Sequence, residues 1–293
     1  MSHTVTHPVA PFVAMGGALR IHQVPSATDN LIWIGVCTQT GEGFVVDGPT
    51  DVEVIDWRER HPEVRLRTIL NTHTHGDHVG VNHALAKRGE LGDWRVVGPS
   101  RAADDVPGLT EPVDEGDLVT IGAVTGRVWR TEGHLNGHVS YVFGDVVFCG
   151  DTLFAGGCGY LFDGPATVMF DSLMRLASLP PETRVCCAHE YTQDNLRFAW
   201  SIEPDNAELE ARIRSVWSVR EQGGCAVPST IGMERATNPF LRPGSPTIRA
   251  SLARAFPDQT PVEHADVFAA VRRLKDGRAY KALSDEELAL PTA

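Results

Sequence analysis

Short apolar runs along this chain alternate with polar breaks marked by glycine and proline, and the spacing within the runs follows two different periods. Residues 19–24 and 31–37 are apolar or alternating, with Pro25-Ser26-Ala27-Thr28-Asp29-Asn30 between them, which predicts strand, turn, strand. Phe44-Val45-Val46-Asp47 predicts a third strand, closed by Gly48-Pro49. Val54, Ile55 and Trp57 then follow a helical spacing, with Asp51 as cap and Pro62 as stop. The run at 66–71 reads as a short buried strand, and Val79, Val81, Leu85 and Ala86 predict a helix from about residue 78. Val96-Val97 is another strand, and residues 100–116, rich in Asp, Pro and Gly, read as loop. Residues 118–121 and 128–130 predict paired strands, and 139–143 with 146–149 predict a hairpin around Gly144-Asp145. Asp171 is placed to cap a helix carrying Leu173, Met174, Leu176 and Ala177, and 185–188 is one more buried strand.

After about residue 191 the strand signals vanish. Residues 203–222 predict a helix with Asp205 as cap and Leu209, Ile213, Val216 and Trp217 on one face. Further helices are expected at 246–255 and from about 264, where Val267, Ala270, Val271 and Leu274 recur. Ser284 with Glu287 forms a capping-box pattern for a short last helix. The expected organisation is therefore one unit at 17–190 and a helical second unit at 191–293. Residues 1 to about 16, with His3, His7, Pro8 and Pro11, read as a loose extension. Many strands with few helices between them argue for two mixed sheets with outer helices, not a doubly wound parallel sheet.

The candidate chemistry sits at strand ends. The run at 66–71 delivers Thr72-His73-Thr74-His75-Gly76-Asp77-His78, four potential metal ligands within six residues. Side chains in a strand alternate, so His73 and His75 point the same way, and Gly76 turns the chain to offer Asp77 and His78. A polar turn with solvated histidines is the plain alternative, and the density of ligands argues against it. The same arrangement recurs: His134 or His138, Asp151 and His189 each stand at the tip of an apolar run. Imidazole and carboxylate suit zinc, iron or manganese. His73, His75, Asp77, His78, one of His134 and His138, Asp151 and His189 are too many for one four-coordinate ion. They suffice for two divalent ions if one carboxylate bridges, and two ions about 3.5–4 Å apart can share a hydroxide as nucleophile.

Composition narrows the partners. The chain has 293 residues, 42% hydrophobic and 22% charged, as expected for a soluble globular protein. The net charge of −12 disfavours a nucleic-acid partner. The six cysteines show no C-x-x-C spacing, and no apolar run is long enough to cross a membrane, so the cytoplasm is the expected compartment. Oligomeric state is not readable from the sequence.

T-H-T-H-G-D-H resembles the signature of the metallo-β-lactamase superfamily, and more of the chain resembles one branch, hydroxyacylglutathione hydrolase (glyoxalase II). The matching pieces include Thr28-Asp29-Asn30, Gly133-His134, Gly137-His138, Gly150-Asp151-Thr152-Leu153-Phe154 and Gly157-Cys158-Gly159. Cys187-Ala188-His189-Glu190-Tyr191-Thr192, Thr237-Asn238-Pro239-Phe240-Leu241-Arg242 and Arg272-Arg273-Leu274-Lys275-Asp276 extend the likeness. The resemblance implies an α+β fold: an αββα sandwich followed by a small C-terminal helical domain that completes a glutathione site. It implies one ion on His73, His75 and His134, a second on Asp77, His78 and His189, and Asp151 bridging, with zinc the first choice of metal. His138 would then support its neighbours. Asp77 and Asp151 would be the catalytic carboxylates, and Arg272, Lys275 and Tyr191 would hold glutathione. The implied reaction is hydrolysis of S-D-lactoylglutathione, part of methylglyoxal detoxification, to D-lactate and glutathione.

The chain departs from the family pattern at Glu132 and Leu135, which replace a usual Pro and Thr, and at Tyr160, where a Lys or Arg is common. Phe162 stands where some members have tyrosine. Tyr160 and Phe162 are therefore expected to touch the substrate and bear on acyl preference. A glutathione persulfide dioxygenase with one iron on the same fold is the main alternative. The Arg272/Lys275 pair and the helical second unit favour the hydrolase.

Overall fold

The computed structural model describes residues 3–292. Seven strands lie side by side in chain order: β1 (Phe12–Ala14), β2 (Leu19–Ser26), β3 (Asn30–Cys37), β4 (Glu42–Val46), β5 (Arg65–Leu70), β6 (Arg95–Pro99) and β7 (Glu111–Val113). The first four are antiparallel and joined by short turns; β4 to β7 are parallel. Parallel neighbours need crossovers, which α1 (Val52–Arg60) and α2 (Gly80–Arg88) supply. The second sheet contains β8 (Leu118–Ile121), β9 (Val124–Arg130), β10 (Val139–Phe143) and β11 (Val146–Gly150). A small hairpin, β12 (Leu153–Phe154) with β13 (Gly157–Cys158), and helix α3 (Ala166–Leu176) lead to β14 (Arg184–Cys187), which pairs with β11 in parallel.

The helical remainder comprises α4 (Thr192–Ile202), α5 (Ala207–Glu221), α6 (Ile231–Thr237), α7 (Pro246–Ala255) and α8 (His264–Asp276). Within it β15 (Ser229–Thr230) closes the second sheet, whose order is β15-β14-β11-β10-β9-β8.

The layers follow from strand alternation. On one face Leu31, Trp33, Phe44 and Val46 meet Val128, Tyr141, Phe143 and Phe148 of the other sheet. On the opposite face Ile32, Ile34 and Val45 pack with Val54, Trp57, Val81 and Leu85 of α1 and α2. β3 is therefore buried on both faces. α3 covers the outer face of the second sheet, with the Arg175 guanidinium 4.4 Å over the Trp129 ring. The result is helix, sheet, sheet, helix.

A buried polar network ties the helical part to the sandwich. Glu234, with no exposed surface, pairs with Arg212 at 2.5 Å and accepts from Gly156 N at 2.8 Å and Asn238 Nδ2 at 2.9 Å. Asn238 also donates to Gly157 O at 2.9 Å, so α5, α6 and the β12–β13 hairpin are joined by one network.

Several local expectations are corrected. Asp51 precedes α1 but makes no cap bond; its carboxylate pairs with Arg88 at 2.5 Å. Residues 100–116 contain a 3₁₀ turn and β7. α3 begins five residues before Asp171, after Pro165. Asn206, not Asp205, caps α5, by accepting from Glu208 N and Leu209 N; Asp205 instead accepts from Thr247 Oγ1 at 2.6 Å. The capping-box bonds of Ser284 and Glu287 form at 2.7 and 3.1 Å, but on turns rather than a helix. Met1, Ser2 and Ala293 lie outside the described residues. The rest of the expected extension is not loose: β1 joins the first sheet, and Val5 is buried.

Candidate functional site

The motif segment leaves β5 at Leu70 and is pinned from below. Asp47 lies at the end of β4 with a positive φ of 54°. Its carboxylate accepts from Thr72 N at 2.8 Å, Thr72 Oγ1 at 2.7 Å and His78 Nδ1 at 3.0 Å. Asn71 and Asn82 exchange side-chain bonds of 3.2 and 2.8 Å, which fixes the segment to α2. His134 sits in the β9–β10 connection, Asp151 follows β11 and His189 follows β14, so the second sheet brings its residues to the same point.

Two donor groups result. His73, His75, His134 and Asp151 form one, and Asp77, His78 and His189 the other, with ligand atoms in each within 4.8 Å of one another. In the first, His73 Nε2 and His134 Nε2 lie 3.1 and 3.0 Å from His75 Nδ1. In the second, His78 Nε2 and His189 Nε2 lie 3.6 and 3.4 Å from Asp77 Oδ2. Asp151 stands between them. Its Oδ2 is 3.4 Å from His134 Nε2, and its Oδ1 is 3.5 and 3.4 Å from His78 Nε2 and His189 Nε2.

The outer contacts decide which ring nitrogens carry hydrogen. His134 Nδ1 faces Tyr160 O at 2.7 Å, His189 Nδ1 faces Asp29 Oδ1 at 2.8 Å and His78 Nδ1 faces Asp47. Each partner can only accept, so each Nδ1 donates, and in the neutral ring each Nε2 has its lone pair turned inward. Thr72 Oγ1 gives its hydrogen to Asp47 and accepts from His73 Nδ1 at 3.0 Å, with the same consequence for His73. His78 Nε2 and Asp151 Oδ1 are fully buried and make no hydrogen bond. Converging lone pairs and orphaned buried acceptors are the donor set of a cation site, and the residues fit a metal.

Electrostatics agree. Burial by itself lowers His78, but Asp151 and Asp47 outweigh it and hold its pKa well above the ordinary histidine value. His189 is raised likewise, against burial, by Asp151 and Asp29. Asp151 is held below the carboxylate range, against burial, by His189 and His78. The carboxylates thus make the cluster attractive to positive charge.

His138 is brought close but belongs to neither group. Its Nε2 accepts from Asp151 N at 3.2 Å, and Thr131 and Thr152 flank its Nδ1. Gly159 is required here: a Cβ would lie 2.0 Å from Asp151 O and 2.9 Å from His134 Nδ1.

A cavity of about 350 Å³ opens beside the second group. Tyr191, Phe154, Tyr160, Asn195, Arg272 and Lys275 are among its lining residues. The i, i+3 spacing on α8 puts Arg272 and Lys275 on one face, and both are nearly buried. Arg272 donates to Asp276 at 2.9 Å and to Cys158 O at 3.2 Å. Lys275 donates to Asn195 Oδ1, and burial, then Arg272, lower its pKa to about 7. Tyr160 lines this cavity with its side chain half exposed. Phe162 stands next to Tyr160, with ring centroids 4.9 Å apart, and its ring lies 5.1 Å from that of His75 and 5.2 Å from that of His134, at the mouth of the first group. Glu132 pairs with Arg101 and accepts from Gly137 N at 2.8 Å, which shapes the His134 loop without a proline. Sequence reasoning missed Asp47, Asn195 and His3. Nothing but their neighbourhood in space distinguishes them.

A family model described as "Hydroxyacylglutathione hydrolase C-terminus" matches residues 190–278, and one for the metallo-beta-lactamase superfamily matches 30–189. A hydroxyacylglutathione hydrolase of Methylococcus capsulatus is 44% identical over 264 residues, 88% of this chain and 98% of the relative. The chain belongs to the hydroxyacylglutathione hydrolase family. As a member it is an enzyme of the thioester-hydrolase class, with the metallo-β-lactamase fold and a His/Asp cluster that could hold metal. The fold recurs in ETHE1 from Myxococcus xanthus, with a TM-score of 0.58 at 22% identity, covering 87% of this chain and 97% of that one. It recurs in TTHA1623, crystallised in a di-iron-bound form, with a TM-score of 0.50 at 26% identity, covering 75% and 99%. Among the described residues, no helix is long and apolar enough to cross a membrane.

Proposed function

We propose that this hydrolase uses two divalent ions to cleave S-(2-hydroxyacyl)glutathione thioesters, S-D-lactoylglutathione foremost, giving D-lactate and glutathione. The observation that carries the reading is the position of Asp151, which turns one oxygen to each donor group beside a cavity lined by the buried Arg272 and Lys275. His73, His75 and His134 would hold one ion, Asp77, His78 and His189 the other, and Asp151 both. Zinc is the first choice, and iron and manganese accept the same ligands. The di-iron form of TTHA1623 supports a pair. The ions would supply an activated water near neutral pH and a polarised carbonyl.

The chain's own residues do the rest. Asp77 and Asp151 would supply the negative charge of the donor set, which favours the cations and orients the histidines around them. Arg272 and Lys275 attract the glycyl carboxylate of glutathione, and Tyr191 borders the thioester between that anchor and His189. Tyr160 lines the same cavity, and Phe162 shields the first group where the acyl part would enter. A thiol pKa of about 8.5 makes glutathione a good leaving group, so no strong acid is required. The family matches meet at 189/190, which supports a catalytic domain at 17–190 and a helical substrate-binding domain at 191–293. Six free, buried cysteines are consistent with a reducing, cytoplasmic compartment.

Metal analysis of purified protein, paired with turnover of S-D-lactoylglutathione, tests this. Two ions per chain with thioester hydrolysis is the expected result. One iron, no hydrolysis, and oxygen uptake with glutathione persulfide would overturn it.

A further inference from the structure

The segment ahead of β1 is a strap, held at closely spaced points. Thr6 N and His7 N both donate to Gly223 O at 3.0 Å, and His7 Nδ1 donates to Gln222 O at 3.0 Å. Arg220 donates to Thr4 O at 3.0 Å, and Val5 enters the core. Gly223 is built for this approach: its φ is +74°, and a Cβ would lie 2.1 Å from Thr6 Oγ1. The strap delivers His3 to the cavity that also holds Arg272, Lys275 and Tyr191. There His3 Nδ1 meets Glu190 O at 3.0 Å, and its ring stands edge-on to Tyr191 with centroids 5.3 Å apart. His3 lies outside both matched family stretches, which begin at residues 30 and 190.

A carbonyl can only accept, so His3 Nδ1 carries the hydrogen and Nε2 of the neutral ring carries a lone pair. Of the cavity's carboxylates, Asp276 faces Arg272 through Oδ1, and Asp194 accepts from Tyr280 and pairs with Lys281. The cavity offers Arg272 and Lys275 for a substrate's carboxylates, and His3 Nε2 adds an acceptor for its N–H groups. A glutathione thioester brings both, with two peptide N–H groups and one ammonium.

We infer that His3 is a specificity-determining residue of this pocket, accepting a hydrogen bond from an N–H of the peptide part of the thiol carrier. The inference rests on the thioesterase reading above.

Steady-state kinetics on S-D-lactoylglutathione, with the whole chain loaded with metal, tests it. His3→Phe keeps a ring beside Tyr191 and removes both nitrogens. One net hydrogen bond corresponds to a KM rise of about five- to tenfold, with kcat changed less than twofold. His3→Gln, which can both donate and accept, recovers part of that loss, as a packing role would not. Wild-type turnover with an unchanged KM in His3→Phe overturns the assignment alone, as does a fall confined to kcat. Wild-type protein that does not turn over S-D-lactoylglutathione overturns the thioesterase reading, and the His3 assignment with it.

Discussion

The ring of Tyr191 lies flat on the ring of His189, with centroids 4.9 Å apart and planes within 3°. One oxygen holds both in place. Asp29 Oδ1 accepts from His189 Nδ1 at 2.8 Å and from the Tyr191 hydroxyl at 3.1 Å. Burial raises the Tyr191 pKa, and Asp29 adds to the effect, so the phenol stays a donor across the working pH range. A cavity wall and a donor-group imidazole therefore share one support, and a disturbance of Asp29 reaches both.

Asp29→Asn keeps the shape but removes the charge that orients His189. Loss of such a partner typically weakens metal binding about 10–100-fold. Competition with a graded chelator, read by elemental analysis, is expected to strip one ion early and leave the other. Retention of both at wild-type affinity would show that His189 needs no outer support.

Asp151→Ala removes the carboxylate shared by the two groups. Metal content and thioester hydrolysis are expected to fall together. A variant with full activity would sink the bridging role.

Lys275 makes anchoring pH-dependent. Its folded pKa is lowered from 10.5 to about 7, so the unfolded chain binds more protons between those values. Stability of the ligand-free protein therefore gains from this group as pH rises from about 7 to 10.5, and the gain disappears in Lys275→Met. Substrate affinity runs the other way. Above about pH 7 the free amine must take up a proton to hold a carboxylate, so KM rises with pH. A KM that is flat from pH 6 to 9 in wild type and raised equally at all pH values in the variant would exclude the titration.

Glu234→Ala leaves Arg212 buried without its carboxylate and frees Gly156. Breaking a buried pair in this way costs about 3–5 kcal/mol, measurable by urea denaturation. A loss below about 1 kcal/mol, the range of an exposed pair, would mean that water replaces the carboxylate.

The donor set is readable in the sequence because His73, His75, Asp77 and His78 are local and their strand-end setting is carried by hydrophobic pattern. The sheets follow from the same pattern, and α7 begins and ends where its apolar spacing places it. Caps are read less well, since competing partners decide them. Asp51 is drawn to Arg88 and Asp205 to Thr247, choices made across 37 and 42 residues of chain. α4 escapes notice because its polar first turn, Thr192-Gln193-Asp194-Asn195, faces a cavity and carries no apolar stripe. The strap was illegible for another reason: its hold on Gly223 is made of backbone bonds, which any sequence of suitable shape could form.

The two sheets divide the donor atoms between them, and this sets an order of events. The segment from His73 to His78 belongs to the first sheet, whereas His134, Asp151 and His189 hang from the second. Each donor group draws on both. Neither group exists until the two halves of the sandwich have met, and the last of its residues, His189, leaves the ribosome more than a hundred residues after His73. The finished site is a product of tertiary closure, and an ion bound there would rivet together the sheets that create it.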